Sequence, residues 1–306
     1  MDRYAVIGSG IAHSRSPQIH AMFAQATRQP MEYGLLDTPP VAFKATADAF
    51  FKAGGRGLNV TVPHKQAALQ LCDSLTPRAR RAGAVNTLAR GDDGKLLGDN
   101  TDGAGLVRDL SFNLRCTLAG ARVLLLGAGG AARGIIAPLV EAGVAALEIH
   151  NRHPARARAL AQEFAELAPV SAGESAVRAP PAMPGVYGST LRAPSADTAA
   201  AHRARRNDGG YDLIINATSA SLENQLPEIP PHAAGIQTLA YDLAYRDRDT
   251  VFVHWARRAG AARAVMGLGM LVEQAAESFL LWRGVRPDTA HVLEVLANSG
   301  HGQSPA

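Results

Sequence analysis

Short apolar runs alternate with segments of helical periodicity along the first 100 residues. The apolar runs predict buried strands at residues 4–7, 32–37, 56–61 and 83–88. The segments between them predict helices at residues 18–27, 41–53, 63–71 and 77–82, and a turn-rich loop at 98–103 leads into the next helix. Strands separated by helices are typical of an α/β layer built on a mainly parallel sheet.

The rest of the chain repeats this alternation. Residues 105–118 carry apolar side chains at helical spacing and are predicted to link two domains. Further strands are predicted at residues 121–126, 211–215, 238–243 and 264–266, and further helices ending near residues 141, 259, 282 and 297. A chain of 306 residues is long enough for two domains. We therefore expect two α/β domains, the first over residues 1–104, completed by 268–298, and the second over 105–267.

One stretch, at about 170–210, lacks this periodicity. It is rich in alanine, proline and arginine. Stretches of this length without regular structure are uncommon inside a compact domain. We predict an irregular surface insertion that carries no site residue.

Composition narrows the function classes. The hydrophobic share of 47% and the charged share of 19% are ordinary for a soluble globular protein. The arginines behind the net charge of +4 are spread along the chain with few aromatic residues between them, so a basic cleft for a small anion is favoured over nucleic-acid binding. No run reaches membrane-spanning length and no secretory h-region opens the chain. The isolated Cys72 and Cys116 favour a reducing compartment, and we expect a cytoplasmic protein without a metal site or a membrane partner.

Lys65 is the first candidate for chemistry. It follows the strand at 56–61 and Pro63, a residue suited to the first turn of a helix. Of the 31 basic residues only four are lysines: Lys44, Lys52, Lys65 and Lys95. A lysine amine can accept and donate a proton, whereas a guanidinium stays charged at ordinary pH. The alternative is an exposed lysine in a helical turn, which is the better interpretation of Lys65 taken alone.

Hydroxyl and carboxyl groups mark two helix starts. Ser16 precedes Pro17 and suits an N-cap, but capping needs only one of Ser14 and Ser16. Two hydroxyls beside the free N–H groups of a helix start also suit a carboxylate ligand. Asp102 lies in the loop that leads into a helix, where an N-cap is the usual role of aspartate.

A glycine-rich turn follows the apolar strand at 121–126. Gly127, Gly129 and Ala132 form a GxGxxA pattern between this strand and a helix, the context that dinucleotide binding requires. An NAD-binding fold usually offers an acidic residue after the next strand. Here Glu148 lies inside that strand, and Arg152 and Arg156 follow it, which favours the 2′-phosphate of NADP. The alternative is a pair of solvated surface arginines.

Eight motifs, spread in order over nearly the whole chain outside 170–210, resemble the shikimate dehydrogenase family. They are His-Ser-Arg-Ser-Pro at 13–17, Asn-Val-Thr-Val-Pro-His-Lys at 59–65, Ala-Val-Asn-Thr at 84–87, Asn-Thr-Asp-Gly at 100–103, Gly-Ala-Gly-Gly-Ala-Ala at 127–132, Asn-Arg at 151–152, Asn-Ala-Thr-Ser at 216–219, and Gly-Leu-Gly-Met-Leu at 267–271 with Gln274. The sequence departs from the family pattern at Ser9-Gly10, His153 and Ser221. None of these departures touches the chemistry of Lys65 and Asp102.

The resemblance implies an N-terminal substrate domain, a Rossmann-type NADP-binding domain, and reversible NADPH-dependent reduction of 3-dehydroshikimate to shikimate. It implies catalytic roles for Lys65 and Asp102, without deciding which of them carries the proton. The implied substrate-binding residues are Ser14, Ser16, Thr61, Asn86, Tyr245 and Gln274. The implied cofactor-binding residues are Gly127, Ala128, Gly129, Gly130, Ala131, Ala132, Asn151, Arg152, Arg156, Thr218, Leu243, Gly267 and Met270.

Two rival functions stay open at this stage. One is an NAD-preferring quinate/shikimate dehydrogenase, which Arg152, Arg156 and the missing acid disfavour. The other is a non-catalytic dinucleotide- or ligand-binding relative, which the intact Lys65 and Asp102 disfavour. The expected partner is a small-molecule substrate, and the sequence allows either a monomer or a homodimer.

Overall fold

The chain folds into two α/β halves, as predicted. The computed structural model describes residues 1–167, 169–173 and 210–299, so most of the predicted insertion at 170–210 lies outside the described residues. Each half is built on a six-stranded sheet with helices packed on it. This confirms the predicted fold class.

The first sheet contains the strands β1 (Asp2–Gly8), β2 (Met31–Asp37), β3 (Gly55–Val60), β4 (Ser74–Leu75), β5 (Thr87–Arg90) and β6 (Leu96–Asp99). Their order is β2-β1-β3-β5-β6-β4. β1 runs parallel to β2 and β3, but β5 is antiparallel to β3 and to β6. The sheet is therefore mixed, because the short reverse turn between β5 and β6 brings the chain back without a crossover helix. The helices of this half are α1 (Ser16–Thr27), α2 (Phe43–Lys52) and α3 (Pro77–Ala82).

The second sheet contains the strands β7 (Arg122–Leu126), β8 (Ala146–His150), β9 (Val170–Ala172), β10 (Leu213–Asn216), β11 (Leu239–Asp242) and β12 (Arg263–Met266). All the described pairs are parallel, in the order β12-β11-β10-β7-β8-β9. The helices that cover it include α5 (Gly130–Glu141), α6 (Pro154–Glu163) and α7 (Val251–Arg258). Buried aliphatic residues fill β7 and β10, as expected for strands covered on both faces. The loops at the carboxyl ends of these strands meet along one edge of the sheet.

Three further helices complete the fold. They are α4 (Asp102–Arg108), α8 (Leu268–Arg283) and α9 (Ala290–Ser299). The apolar face of α8 packs in one cluster with Ile19 and Phe23 of α1 and with Val292 of α9. The C-terminal helices thus pack on the first half, as the proposed division into 1–104 with 268–298 and 105–267 requires. That division stays a prediction.

Several predicted elements are wrong in their bounds. No helix begins at Pro63, because His64 is buried in a turn, where its ring stacks on Phe43 and hydrogen-bonds to the Thr38 carbonyl at 2.8 Å. Only a 3-10 helix at Ala67–Leu71 follows. The predicted helix at 105–118 is α4 followed by a single π-helical turn at Asp109–Asn113.

Three further corrections concern the first residues of elements. The strand predicted at 83–88 begins only at Thr87, because Gly83 ends α3 with a φ of 57°. Ser16 is not an N-cap: it is the first residue of α1, and Ser14 Oγ accepts its backbone N–H at 3.3 Å. Asp102 is likewise the first residue of α4, with Thr101 at the N-cap position, so its carboxylate is available for other partners.

Candidate active site

A cleft of about 650 Å³ opens where the segments after β3, β7, β8 and β10 meet. Ten predicted site residues line it: Lys65, Gly127, Ala128, Gly129, Gly130, Ala131, Asn151, Arg152, Arg156 and Thr218. The carboxyl ends of parallel strands are where α/β proteins bind ligands. The structure therefore brings the predicted lysine and the predicted cofactor residues into one cleft.

The glycine loop in this cleft shows which glycines the fold itself requires. Gly127 has a φ of 112°, and a Cβ there would lie 3.0 Å from the backbone of Ala217, so both conformation and packing demand glycine. Gly129 has an ordinary φ of −92°, and a Cβ there would meet nothing within 4 Å. Since neither conformation nor packing requires glycine at Gly129, an approaching ligand is the remaining reason for it. The start of α5 at Gly130 adds free N–H groups that favour a phosphate, and this loop therefore fits a pyrophosphate.

The wall after β8 carries the predicted phosphate-binding residues. Asn151, Arg152 and Arg156 line the cleft, and both arginines are exposed. The Asn151 side chain accepts the His153 N–H at 2.9 Å, which holds the turn that leads into α6. Two guanidiniums on one wall of a cleft fit the 2′-phosphate of NADP.

The nearest acid on this strand is committed elsewhere. The Glu148 carboxylate accepts the Tyr211 hydroxyl at 2.6 Å and pairs with His150 at 2.7 Å. Burial acts to raise the pKa of Glu148, but the hydrogen bonds from Tyr211 and His150 outweigh it and lower the pKa. Glu148 is therefore a structural group rather than a ribose ligand.

Thirteen residues without a predicted site role also line the cleft. They are Val62, Pro63, Gln66, Leu126, His150, Ala217, Ser219, Ala220, Glu223, Gln225, Leu226, Pro227 and Glu228. Four of them lie within the motifs and four directly adjoin one, so proximity to a motif could have found these eight. The segment from Gln225 to Glu228 carried no periodicity or motif that indicates a binding wall.

Lys65 forms an ion pair at the edge of this cleft. Its Nζ donates to Asp102 Oδ2 at 2.5 Å, and the two side chains are only 13% and 4% exposed. Asp102 Oδ1 accepts Asn86 Nδ2 at 2.8 Å. A Cβ on Gly130 would lie 3.2 Å from Lys65 Cβ, so the lysine contacts the glycine loop directly. An amine able to exchange a proton thus lies between a buried carboxylate and the predicted dinucleotide site.

Among the described residues, Gln274 is connected to this ion pair through a hydrogen bond, whereas the Thr61 hydroxyl is not. Gln274, on α8, accepts Asn86 Nδ2 at 3.3 Å through Oε1, which connects it to the Lys65–Asp102 group. Thr61 follows β3, and its backbone N–H donates to the Ile7 carbonyl at 2.9 Å. Its methyl group faces Gly8, where a Cβ would come within 2.4 Å. The contacts of Thr61 therefore place it at the strand end without linking its hydroxyl to the pair.

The two predicted carboxylate-binding serines each lie beside a tyrosine. Ser14 neighbours Tyr245, whose pKa burial raises and whose hydroxyl accepts the Arg15 N–H at 3.5 Å. Ser16 neighbours Tyr33, whose pKa burial raises well above its usual value and whose hydroxyl donates to Asn59 Oδ1 at 2.6 Å. Tyr33 was not predicted, because it lies in β2 outside every motif. Four hydroxyls therefore lie together at the start of α1.

The remaining predicted cofactor residues do not line the cleft. Leu243 follows β11 and touches Gly267, where a Cβ would lie 2.6 Å from the Leu243 carbonyl oxygen. Met270, in the first turn of α8, donates its N–H to the Tyr241 hydroxyl at 3.1 Å. Ala132 is fully buried in α5. These four residues form or abut the ends of β11, β12 and the glycine loop.

The described part of the chain lacks the features of two other classes of site. No group of three or more histidine, cysteine, aspartate or glutamate side chains there could hold a metal ion. No described helix is long and apolar enough to cross a membrane.

Three family models match the chain. Residues 6–88 match the shikimate dehydrogenase substrate binding domain, residues 110–176 match shikimate / quinate 5-dehydrogenase, and residues 267–297 match the shikimate 5′-dehydrogenase C-terminal domain. The matched segments cover the glycine loop and the N-terminal motifs that carry Ser14 and Lys65.

Proteins that share these features align over almost the full chain. Shikimate dehydrogenase (NADP(+)) of Aeromonas hydrophila is 49% identical over 296 residues, which is 97% of each chain. The enzyme of the same name from Aromatoleum aromaticum is 51% identical over 296 residues, again 97% of each. The crystal structure of shikimate 5-dehydrogenase from Thermus thermophilus in complex with NADP(H) and shikimate superposes with a TM-score of 0.77 at 33% identity, covering 98% of this chain and 100% of that one.

Proposed function

The chain belongs to the shikimate dehydrogenase family, and from this we infer that it catalyses the reversible, NADPH-dependent reduction of 3-dehydroshikimate to shikimate. It is an oxidoreductase that uses NADP as its cofactor. The single observation that carries the chemistry is the Lys65–Asp102 ion pair beside the glycine loop.

NADPH, when bound, supplies the hydride for the reduction. The glycine loop with the first turn of α5 holds the pyrophosphate, and Asn151, Arg152 and Arg156 hold the 2′-phosphate. The open space at Gly129 and the two exposed guanidiniums on the wall after β8 support these roles. Thr218 stands on the same cleft, where Asn216 fixes it by accepting both its N–H and its hydroxyl.

The reaction also needs a group that exchanges a proton with the reacting oxygen. Lys65 fits this role because it lines the cleft, whereas Asp102 is buried and does not. Both Asp102 oxygens already accept hydrogen bonds, Oδ1 from Asn86 and Oδ2 from Lys65. We therefore assign proton transfer to Lys65 and assign to Asp102 the holding of the ammonium form.

The substrate carboxylate is held at the start of α1. Ser14, Ser16 and Tyr245 supply hydroxyls there, at the N-terminus of a helix whose dipole favours an anion. Asn86, Gln274 and Thr61 face the ring hydroxyls. The hydrogen bonds that join Asn86 and Gln274 to the Lys65–Asp102 pair support this assignment for the two amides.

The free cysteines bear on the cellular compartment of the protein. Cys72 and Cys116 are both free, which supports a reducing compartment such as the cytoplasm. A monomer or a homodimer stays a prediction.

Replacing Lys65 tests the proposed function. We expect Lys65→Ala to keep shikimate binding within about tenfold and to lower kcat by at least ~10²-fold, the usual contribution of a general acid/base group. Shikimate-dependent reduction of NADP, followed at the nicotinamide absorbance band, measures kcat, and ligand titration measures binding. Lys44→Ala is the matched control, because Lys44 is an exposed lysine on α2 away from the cleft. Near-normal turnover by folded Lys65→Ala would remove Lys65 from the mechanism.

A further inference from the structure

Asn86 holds Asp102 through a buried amide whose oxygen and nitrogen each make short hydrogen bonds. Its Oδ1 accepts the Thr101 backbone N–H at 2.8 Å and the Thr87 hydroxyl at 2.9 Å. Its Nδ2 donates to Asp102 Oδ1 and to the Thr101 hydroxyl, each at 2.8 Å. Since a backbone N–H can only donate, the Thr101 contact identifies the amide oxygen, and the amide nitrogen must face Asp102.

Thr87 is held in turn by groups behind it. Its Oγ1 accepts Asn59 Nδ2 at 3.2 Å and lies 2.8 Å from Ser278 Oγ. Either hydroxyl can donate in the second contact, since Ser278 can also donate its proton to the Gln274 carbonyl. Ser278 also accepts Asn59 Nδ2 at 2.9 Å. Thr87 and Ser278 are completely buried, so water cannot replace any of these bonds.

These hydroxyls connect separate elements around the reacting pair. Thr87 lies at the start of β5, directly after Asn86, and Ser278 lies one helical turn beyond Gln274 on α8. The Ser278 hydroxyl lies 3.1 Å from the Gln274 carbonyl. The hydroxyls of Thr87 and Ser278 therefore connect α8, which carries Gln274, to β5, which follows Asn86.

We propose that Thr87 and Ser278 are positioning residues that orient the Asn86 amide toward Asp102, and so fix the carboxylate that holds Lys65. Neither residue lines the cleft or touches the ion pair. Without the Thr87 hydroxyl, Asn86 Oδ1 keeps only the Thr101 N–H and the longer contact with the Thr101 hydroxyl at 3.2 Å. The amide is then held less firmly against rotation of its oxygen toward the carboxylate. Two facing oxygens repel, so the pair is displaced from the reacting geometry.

This inference rests on the proposed function and is tested by isosteric substitution. We expect Thr87→Val, which replaces the hydroxyl with a methyl group, to lower kcat for shikimate oxidation about tenfold, the effect of losing one buried hydrogen bond. KM for NADP should stay within about twofold of the wild-type value, because Thr87 does not line the cofactor cleft. Thr87→Ser restores the hydroxyl and should recover most of kcat. Ser278→Ala should lower kcat in the same direction by a smaller factor, since Asn59 still donates to Thr87.

The matched control is Thr238→Val. Thr238 is a buried threonine in the second half, where its hydroxyl donates to the Tyr211 carbonyl and accepts the Gly235 N–H. A kcat change in this control equal to that of Thr87→Val would show a general effect on stability and overturn the proposal. Unchanged kcat in folded Thr87→Val, or failure of Thr87→Ser to recover kcat, would also overturn it. If Thr87→Val does not fold, Ser278→Ala decides, and wild-type kcat there refutes the positioning role.

The two claims fail in different ways. A wild-type protein without shikimate-dependent reduction of NADP refutes the proposed function and this inference with it. An active wild type with an unaffected Thr87→Val refutes the inference alone.

Discussion

Arg152 and Arg156 offer the sharpest prediction about the cofactor. Both lie on the cleft wall after β8, both are exposed, and within the described ranges neither guanidinium forms an ion pair with a carboxylate. Replacing both with alanine therefore leaves no buried charge without a partner. We expect the double variant to fold normally and to lose affinity for NADP only.

The size of the loss follows from the exposure of the two side chains. A hydrogen bond to a charged group contributes about 1.5–3 kcal/mol when it is shielded, and exposure reduces this through solvent screening. About 1 kcal/mol for each arginine gives about 2 kcal/mol together, which corresponds to a rise of about 30-fold in KM for NADP. KM for NAD should change by less than about twofold, because NAD lacks the 2′-phosphate.

The assay is steady-state kinetics with saturating shikimate and varied NADP or NAD. Arg158→Ala is the matched control. Arg158 is exposed and lies on α6, as Arg156 does, but it does not line the cleft. The difference between the cofactors should shrink at high ionic strength, as expected for exposed charges. An equal rise in KM for both cofactors, or the same effect from Arg158→Ala, would refute the assignment of the phosphate site.

Two other predictions separate function from folding. Gly129→Ala should raise KM for NADP about tenfold while leaving the melting temperature unchanged, because the new methyl enters open space in the free protein. Gly127→Ala should lower the melting temperature instead, because Gly127 has a positive φ. A lowered melting temperature of Gly129→Ala would contradict the argument that a ligand approaches Gly129. Burial lowers the pKa of His20 to about 3, from an ordinary value of 6.5, so between these pH values only the unfolded chain takes up the proton and stability falls as the pH falls. The free energy of unfolding, measured in urea, should lose about 2 kcal/mol from this group between pH 7 and pH 5, and His20→Phe should lose that much less over the same interval.

Local sequence predicted many of the segments that line the cleft, because these segments are short and directly follow strands. The strand before the glycine loop, the loop itself and the start of α5 all follow from apolar patterning and glycine spacing. Sequence could not distinguish a turn from a helix at Pro63, since proline suits both. The burial of His64 against Phe43 decides between them, and that contact joins residues about 20 positions apart.

Local sequence patterns could not predict the contacts between distant segments. The position of Tyr33 beside Ser16 joins β2 to α1, and the contact of Ser278 with Thr87 joins α8 to β5. Each of these polar residues, viewed alone, is indistinguishable from a surface residue. Their burial emerges only when the sheet and the C-terminal helix come together.

The most direct test of the central claim is kcat/KM of the wild-type protein for shikimate and quinate, each with NADP and NAD. Shikimate and quinate share a carboxylate, but quinate carries an extra hydroxyl on a tetrahedral C1, which must be buried without a partner beside Ser14 and Ser16. We predict that kcat/KM is highest for shikimate with NADP and exceeds that for quinate by ~10²-fold or more. Comparable efficiency with quinate, or a preference for NAD, would contradict the account and favour a quinate/shikimate dehydrogenase.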